Sequence, residues 1–333
     1  MTDDNFIDAK DLTLDEWLAL VYKPPKDKVF LRQAFPSDKH RDEYIATIQK
    51  RSDDDVLRLL HAFLMKSTSV DFWDEFNFNS LAEAYKTNRE RFEKMSAHTY
   101  YRRLVNYFNV SKEIYPWEGN TWLLDLLPHS PKIALEGLNA YIIAHIPIAP
   151  DTILQGLFDA EEVIRAKYIG LPKSQGDKVA VLLDLSSRQF EHLTERLYHS
   201  MGYETWLTQP SRDGGRDIIA KINNSARHEF LLIECKRYAD TVDVGIVREL
   251  YGVVSSEKAN RGVLVTSGKF SPDAIDYADD NSMQLIDGDK FVLLLNEHLG
   301  TNWFQKLARI LAESERHYQE TRKTVKSKKV KRK

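Results

Sequence analysis

Apolar side chains in the first 170 residues recur at intervals of three and four positions, as in amphipathic helices, and rarely alternate as in strands. The stretch after Pro150 is typical, because Ile153, Leu157 and Ile164 fall on one helical face. We therefore predict an all-helical N-terminal domain over residues 1–170. Its predicted helices lie near 13–23, 37–50, 53–66, 80–95, 97–109, 120–127, 131–145 and 150–168.

A different pattern begins at about residue 183. Ser186 and Gln189 have the three-residue spacing of a helix N-terminal capping box, and short stretches of period two follow. The predicted order over residues 183–300 is α-β-β-β-α-β-α-β-α, with strands at 203–209, 217–222, 229–236, 262–266 and 283–286. Such an order predicts an α/β domain with a central mixed sheet flanked by helices. The whole chain is thus assigned to the α+β class.

Two further segments complete the predicted organisation. Residues 171–182 are polar and contain both proline and glycine, so we expect a linker there. Residues 301–333 are expected to form a C-terminal helix and a basic tail. The last 13 residues hold eight Lys or Arg and no acid, so the net charge of −3 leaves −11 on residues 1–320. The tail either contacts nucleic-acid phosphates or is a disordered solubilising end, and the sequence leaves both open.

The predicted strand 229–236 carries the candidate chemistry. Because side chains alternate between the two faces of a strand, Glu234 and Lys236 share one face, whereas Cys235 points with the apolar residues into the core. Burying an acid and an amine is costly unless they have a partner or a function. Asp217 opens the preceding strand, directly after the turn at 213–215, and a hairpin would bring it to Glu234.

Two converging carboxylates and a lysine are suited to phosphate chemistry. Mg²⁺ prefers oxygen ligands and keeps coordinated waters for a phosphate substrate, and Mn²⁺ is an alternative ion. A neighbouring lysine positions or deprotonates the attacking water, or neutralises developing charge. The competing interpretation of Asp217, Glu234 and Lys236 is a purely structural ion pair.

The pattern Asp217…Glu234-x-Lys236 resembles the signature of the PD-(D/E)XK nucleases, and the surrounding blocks are similar to the catalytic domain of Mrr-like restriction endonucleases. The resemblance covers about 115 residues. In chain order the blocks are Phe190-Glu191-His192-Leu193, Met201-Gly202-Tyr203, Asp213-Gly214-Gly215-Arg216-Asp217, Glu234-Cys235-Lys236-Arg237-Tyr238, Val247-Arg248-Glu249-Leu250-Tyr251-Gly252, Gly262-Val263-Leu264-Val265-Thr266-Ser267, Phe270-Ser271-Pro272-Asp273-Ala274 and Leu285-Ile286-Asp287-Gly288.

The resemblance implies a role for each residue. Asp217 and Glu234 would bind the metal, to which the backbone carbonyl of Cys235 adds an oxygen, and Lys236 would be the catalytic lysine. Glu191 corresponds to an additional acid near the metal, although a solvated helix glutamate is the alternative. Many family members have Gln at the position of Glu234. The implied activity is a Mg²⁺-dependent endodeoxyribonuclease in restriction or anti-phage defence.

The remaining features bear on partners and compartment. The start of the chain is acidic and lacks an apolar stretch, and no run reaches the about 20 apolar residues of a membrane span, so we expect a cytoplasmic protein without membrane contact. The single cysteine excludes an internal disulfide framework.

DNA is the expected partner. The helical domain, which carries no DNA-reading motif that we can identify, is expected to bind DNA, a protein partner or a signal. A homodimer would supply two active sites for double-strand cleavage. The alternatives are an effector nuclease controlled through the helical domain and a catalytically silent DNA-binding module.

Overall fold

The computed structural model describes residues 6–25, 28–66, 70, 72–110, 112, 117–209, 215–224 and 228–330, of which 72, 73, 99 and 323–330 are described by their backbone alone. The chain divides into two compact units, Met1–Gly170 and Leu171–Lys333. None of the helices in the described ranges combines the length and the apolar character that crossing a membrane requires.

The first unit is helical, as predicted. Its α-helices are α1 Leu14–Tyr22, α2 Asp38–Thr47, α3 Asp53–Phe63, α4 Phe72–Thr87, α5 Arg89–Ser96, α6 Thr99–Val105, α7 Pro131–His145 and α8 Asp151–Ile164. Short 3-10 helices occupy Ala9–Asp11, Ile48–Lys50 and Thr121–Leu126, and π-helical turns extend α6 over Asn106–Val110 and α8 over Arg165–Ile169.

One predicted helix of this unit is wrong in its extent. The region expected as a single helix at 80–95 is split between α4 and α5. Asn88 separates them, because its extended backbone ends one helix and its side chain accepts a hydrogen bond from the Arg91 N–H at the start of the next. In the sequence, the apolar positions keep the helical period of 3.6 residues through this point. Asn88 is the local sign that the helix is interrupted.

The core of the first unit is aromatic. The ring centroid of Phe35 lies 5.4 Å from that of Trp17 and 5.1 Å from that of Phe63, the latter edge-on. Phe35 stands in the segment between α1 and α2, and its N–H donates to the buried carboxylate of Asp159 on α8 at 2.8 Å. This bond fixes the segment against α8.

The second unit has the predicted order of elements, with two additional short strands. Its elements are α9 Gln175–Asp184, α10 Ser187–Ser200, β1 Glu204–Leu207, β2 Ile218–Asn223, β3 His228–Lys236, β4 Thr241–Val242, α11 Val244–Glu257, β5 Arg261–Thr266, β6 Lys269–Phe270, α12 Pro272–Asp279, β7 Met283–Ile286, α13 Gly288–His298 and α14 Leu307–Val330.

The central sheet is mixed, as predicted. Its strand order is β1-β2-β3-β5-β7, in which β1, β2 and β3 pair antiparallel and β3, β5 and β7 pair parallel. One face packs against α9, α10, α13 and α14, and the other against α11 and α12. Strands β4 and β6 form a separate parallel pair. The sheet is therefore buried on both faces, which explains the nearly continuous apolar sequence of its central strands.

The expected linker at 171–182 requires a correction. Most of it belongs to α9, which begins with a capping box formed by Ser174 and Asp177 and carries the fully buried Leu182 in the core of the second unit. The polar start of this segment is a helix N-terminus, which has the same composition as a linker. The predicted C-terminal helix is present as α14, and its Leu307 and Ile310 join the same core.

Candidate active site

The end of β3 has the two faces that strand alternation predicts. Leu231, Ile233 and Cys235 lie in the core on the α10 side of the sheet, whereas Leu232 lies in the core on the α11 side. Glu234 and Lys236 continue the Leu232 series. They therefore project from the face opposite to Cys235.

Asp217 lies directly before β2, across from Glu234. The register pairs Ile218 with Ile233, and the Asp217 N–H extends that pairing by donating to the Ile233 carbonyl at 2.9 Å. The Asp217 carboxylate in turn accepts a hydrogen bond from the Cys235 N–H at 2.7 Å. The hairpin thus brings Asp217 to the strand end that carries Glu234.

The approach to Asp217 uses a special backbone conformation. Gly215 has a φ of +79°, in the left-handed region that side chains disfavour. The rest of the predicted turn, at 213–214, lies outside the described residues. The glycine allows the chain to enter β2 with Asp217 already held by β3.

Glu234 and Lys236 form a close ion pair. The Lys236 Nζ lies 2.6 Å from Glu234 Oε1, and the two side chains are 27% and 10% exposed. Burial by itself would lower the pKa of Lys236, but the hydrogen bond and the charge of Glu234, with a contribution from Asp217, outweigh it and raise the pKa. Lys236 is therefore held as an ammonium ion.

Glu191 is placed differently from the other three residues. It lies on α10, and its carboxylate pairs with Arg188 at 2.6 Å. Arg188 also donates to the Thr208 carbonyl at 3.2 Å and lies over the Tyr318 ring. The structure therefore ties Glu191 to Arg188 on the α10 side of the sheet and does not join it to Asp217 or Glu234.

The Cys235 thiol is unsuited to nucleophilic attack. Burial raises its pKa well above the usual value, and the charges of Asp217 and Glu191 raise it further. It is the backbone of Cys235, through its N–H, that contacts the site.

Two hydroxyl residues that the sequence reasoning missed hold the end of β3. The hydroxyl of Thr266, which is fully buried, donates to the Lys236 carbonyl at 2.7 Å, and that of Ser267 donates to the Tyr238 carbonyl at 2.8 Å. Both hydrogen bonds follow from the parallel pairing of β3 and β5, which sets Lys236 beside Thr266. The signal in the sequence is a pair of hydroxyl residues at the carboxyl end of a buried strand.

Other charged neighbours of the site have structural partners. Arg216 forms an ion pair with Glu257 at 2.5 Å, and Arg237 donates to the Leu183 carbonyl at 2.9 Å. Tyr238 is 42% exposed. Of these flanking residues, the tyrosine presents the more open surface.

The predicted site residues supply part of the oxygen ligands that a hard divalent ion needs. Across the described ranges, no group of three or more His, Cys, Asp and Glu side chains is placed to hold a metal ion. The predicted set contains two such side chains, Asp217 and Glu234, together with a backbone carbonyl. Oxygen donors of this kind, completed by water and substrate, are what Mg²⁺ uses in phosphate-handling sites.

Residues 182–295 match the model of the restriction endonuclease family in its Mrr catalytic form. Residues 182–295 are an Mrr-type restriction endonuclease domain. The match confirms the resemblance seen in the sequence, and it lies wholly within the second unit, which we call the nuclease domain from here on. Restriction-endonuclease-like proteins generally use divalent metal ions.

Individual relatives match only parts of their length. The nuclease domain is similar to the type IV methyl-directed restriction enzyme EcoKMrr of Escherichia coli (strain K12), with 30% identity over 123 residues that cover 35% of this chain and 40% of that enzyme. The chain thus spans less than half of the length of this curated relative.

Two solved structures show a weaker likeness. They are the DNA modification-dependent restriction endonuclease AspBHI (26% identity, TM-score 0.35, 43% of this chain and 41% of that chain) and the MspJI restriction endonuclease in complex with a 27-mer oligonucleotide (18% identity, TM-score 0.34, 50% and 44%).

Proposed function

We propose that this protein is an endodeoxyribonuclease that hydrolyses DNA phosphodiester bonds with Mg²⁺ at Asp217, Glu234 and Lys236. The observation that carries the proposal is the pairing of Asp217 with the end of β3, which sets two carboxylates and an ammonium group at one place. The family of residues 182–295 supports the reaction class. The methyl-directed relative suggests modified DNA as the substrate and defence against foreign DNA as the role.

In the proposed mechanism the protein positions charge around the scissile phosphate. Asp217, Glu234 and the carbonyl of Cys235 would hold the ion. A divalent ion bound there would supply positive charge and would lower the pKa of a coordinated water. Lys236, which Glu234 keeps protonated, neutralises the negative charge that develops on the phosphate oxygens.

Glu191 has a secondary place in this proposal. Its carboxylate is engaged by Arg188, and its role as an additional acid of the site stays a prediction from the resemblance. Asp217, Glu234 and Lys236 are the residues on which the activity is expected to depend.

The experiment compares cleavage by the full chain and by Lys236→Met. Supercoiled plasmid from a methylating and from a non-methylating host is incubated with each protein in Mg²⁺ or in EDTA. We expect Mg²⁺-dependent cutting that falls at least about 100-fold in Lys236→Met, because one preorganised charge is lost. Lys173→Met, an exposed lysine of the same unit, is the matched control and should cut normally. Equal cutting by Lys236→Met and the wild type would disprove the assignment, and cutting in EDTA would disprove the metal dependence.

A further inference from the structure

The first unit contains a cavity of about 580 Å³ that no part of the proposed nuclease activity uses. It lies between the end of α1, the second half of α3 and the segments that follow these two helices. Its volume falls in the range of about 300–1,000 Å³ that is typical of small-molecule sites.

The walls of this cavity are fixed by hydrogen bonds. Met65 is held by Asn120, whose side-chain oxygen accepts from the Met65 N–H at 2.7 Å and whose own N–H donates to the Met65 carbonyl at 2.9 Å. The segment after α1 is held at Leu31, whose carbonyl accepts from the Trp17 indole at 2.8 Å. The cavity is therefore formed by the fold before any ligand arrives.

The same segment is locked against α8 by a close backbone approach. A Cβ at Gly156 would lie only 1.9 Å from the Gln33 carbonyl oxygen, so a glycine is required where the helix passes. Gln33 and its neighbour Arg32 both line the cavity. The position of Arg32 is thus set by the packing of the unit.

The lining is basic at the rim. Arg32, Arg58, His61 and Lys66 line the cavity and are exposed, and none of its described lining residues is Asp or Glu. Arg58 and His61 are three residues apart on α3 and share one helix face. This local excess of cations is notable because residues 1–170 contain 21 Lys and Arg against 27 Asp and Glu, a formal charge of −6.

The negative ends of the neighbouring helix dipoles do not balance the positive charges of the rim. Helices α1 and α3 both end at the cavity, and each C-terminus carries roughly half a negative charge. Together they offset about one of the three permanent positive charges of Arg32, Arg58 and Lys66. The helix ends by themselves therefore do not neutralise the basic rim.

The floor of the cavity is apolar. Val21, Leu64 and Met65 line it and are buried, and the ring of Tyr22 lines it as well. An apolar floor beneath a cationic rim suits a molecule with a flat organic part and an anionic end. The acidic charge of the unit disfavours a long polyanion such as duplex DNA, because its phosphates would extend beyond the basic rim.

We propose that this cavity, which we call the basic pocket, binds a small organic phosphate of the size of a nucleoside monophosphate. Arg32, Arg58 and Lys66 hold the phosphate, and the floor of Val21, Leu64 and Met65 holds the organic part.

The test is a calorimetric titration of the full chain with AMP, adenosine and inorganic phosphate in EDTA, where the nuclease site is without metal. We expect AMP to bind, and adenosine and inorganic phosphate each to bind at least about ten-fold more weakly. The reason is that adenosine lacks the phosphate and inorganic phosphate lacks the organic part. Absence of AMP binding at millimolar concentration would overturn the proposal. So would equal affinity for AMP and adenosine, or for AMP and inorganic phosphate.

Variants locate the binding. Arg58→Gln and Lys66→Gln should each weaken AMP binding at least about ten-fold, because each removes a charge-assisted hydrogen bond. Arg89→Gln removes an exposed arginine of the same unit, paired with Glu93, and should bind AMP as the wild type does. Wild-type affinity in both pocket variants would overturn the proposal.

A second readout is the His61 imidazole, followed by NMR. Burial and then the charge of Lys66 lower the pKa of His61, and a bound phosphate should raise it. An AMP titration that leaves the His61 resonances unchanged would place any binding elsewhere and overturn the proposal, even if a pocket variant failed to fold.

Discussion

Replacing Asp217 by Asn separates the structural role of this residue from its proposed catalytic role. The Asp217 carboxylate accepts a hydrogen bond from the Cys235 N–H at 2.7 Å, and an Asn side-chain oxygen can accept the same bond. A hydrogen bond to a charged group contributes about 1.5–3 kcal/mol to the free energy of unfolding, and a neutral one about 0.5–1.5. Asp217→Asn should therefore destabilise the protein by only about 1 kcal/mol.

The expected change in the unfolding midpoint is small. For a unit of this size, about 1 kcal/mol corresponds to a shift of roughly 2–4 °C, which thermal circular dichroism resolves. Asp217→Ala should cost about 1–3 kcal/mol, because the Cys235 N–H is then left without this acceptor. The two variants thus differ in stability.

Cleavage should fall in both variants alike. Asn lacks the negative charge that a hard divalent ion requires, so we expect at least an about 100-fold loss of plasmid cleavage and a weaker response to Mg²⁺. Asp276→Asn, an exposed carboxylate on α12, is the matched control and should retain cleavage. If Asp217→Asn cuts DNA at the wild-type rate, Asp217 is a structural acceptor and the proposed metal site is wrong.

Three further outcomes follow from particular contacts. Gly156→Ala should destabilise the first unit by about 3 kcal/mol or more, because its Cβ would meet the Gln33 carbonyl at 1.9 Å. Gly252→Ala, whose Cβ meets nothing within 4 Å inside α11, should instead stabilise the protein by about 0.5–1 kcal/mol in a thermal melt. Thr266→Val removes the 2.7 Å hydrogen bond to the carbonyl of Lys236, the proposed catalytic lysine, and should lower kcat about ten-fold with little change in KM; an unchanged kcat would refute its positioning role. Burial would raise the pKa of Glu315, but hydrogen bonds from its histidine and glutamine partners outweigh it and lower the pKa below 4.5, so the stability that Glu315 contributes is present at neutral pH and lost as pH falls below about 4.5. Glu315→Gln should therefore be less stable than the wild type at pH 7, and the difference should vanish in acid; a constant difference across that range would contradict the assignment.

The sequence was sufficient for features that depend on local pattern. The period of the apolar positions predicted a helical first unit and a mixed sheet in the second, and strand alternation predicted that Glu234 and Lys236 face away from Cys235. Residue spacing along one strand is fixed by backbone geometry, and so it needs no knowledge of the rest of the fold.

Other features have no local signature. The linker expected at 171–182 is instead largely the helix α9, because a capped helix N-terminus and a linker share polar residues, and only the burial of Leu182 distinguishes them. The split at Asn88 was missed for a similar reason, since the helical period runs through it.

The tertiary structure decided which side chains meet. The β2–β3 register brings Asp217 to the Cys235 N–H, and the ion pair with Glu234 raises the pKa of Lys236. Glu191 was assigned by resemblance, and the fold ties it to Arg188. The basic pocket likewise draws its residues from two helices and the segments that follow them. The sequence by itself determined the periodicity and the kinds of chemical group present, because both are properties of consecutive residues. Distances between side chains, their burial and their charge states arise only when separate segments pack together, and these quantities decide what the groups can do.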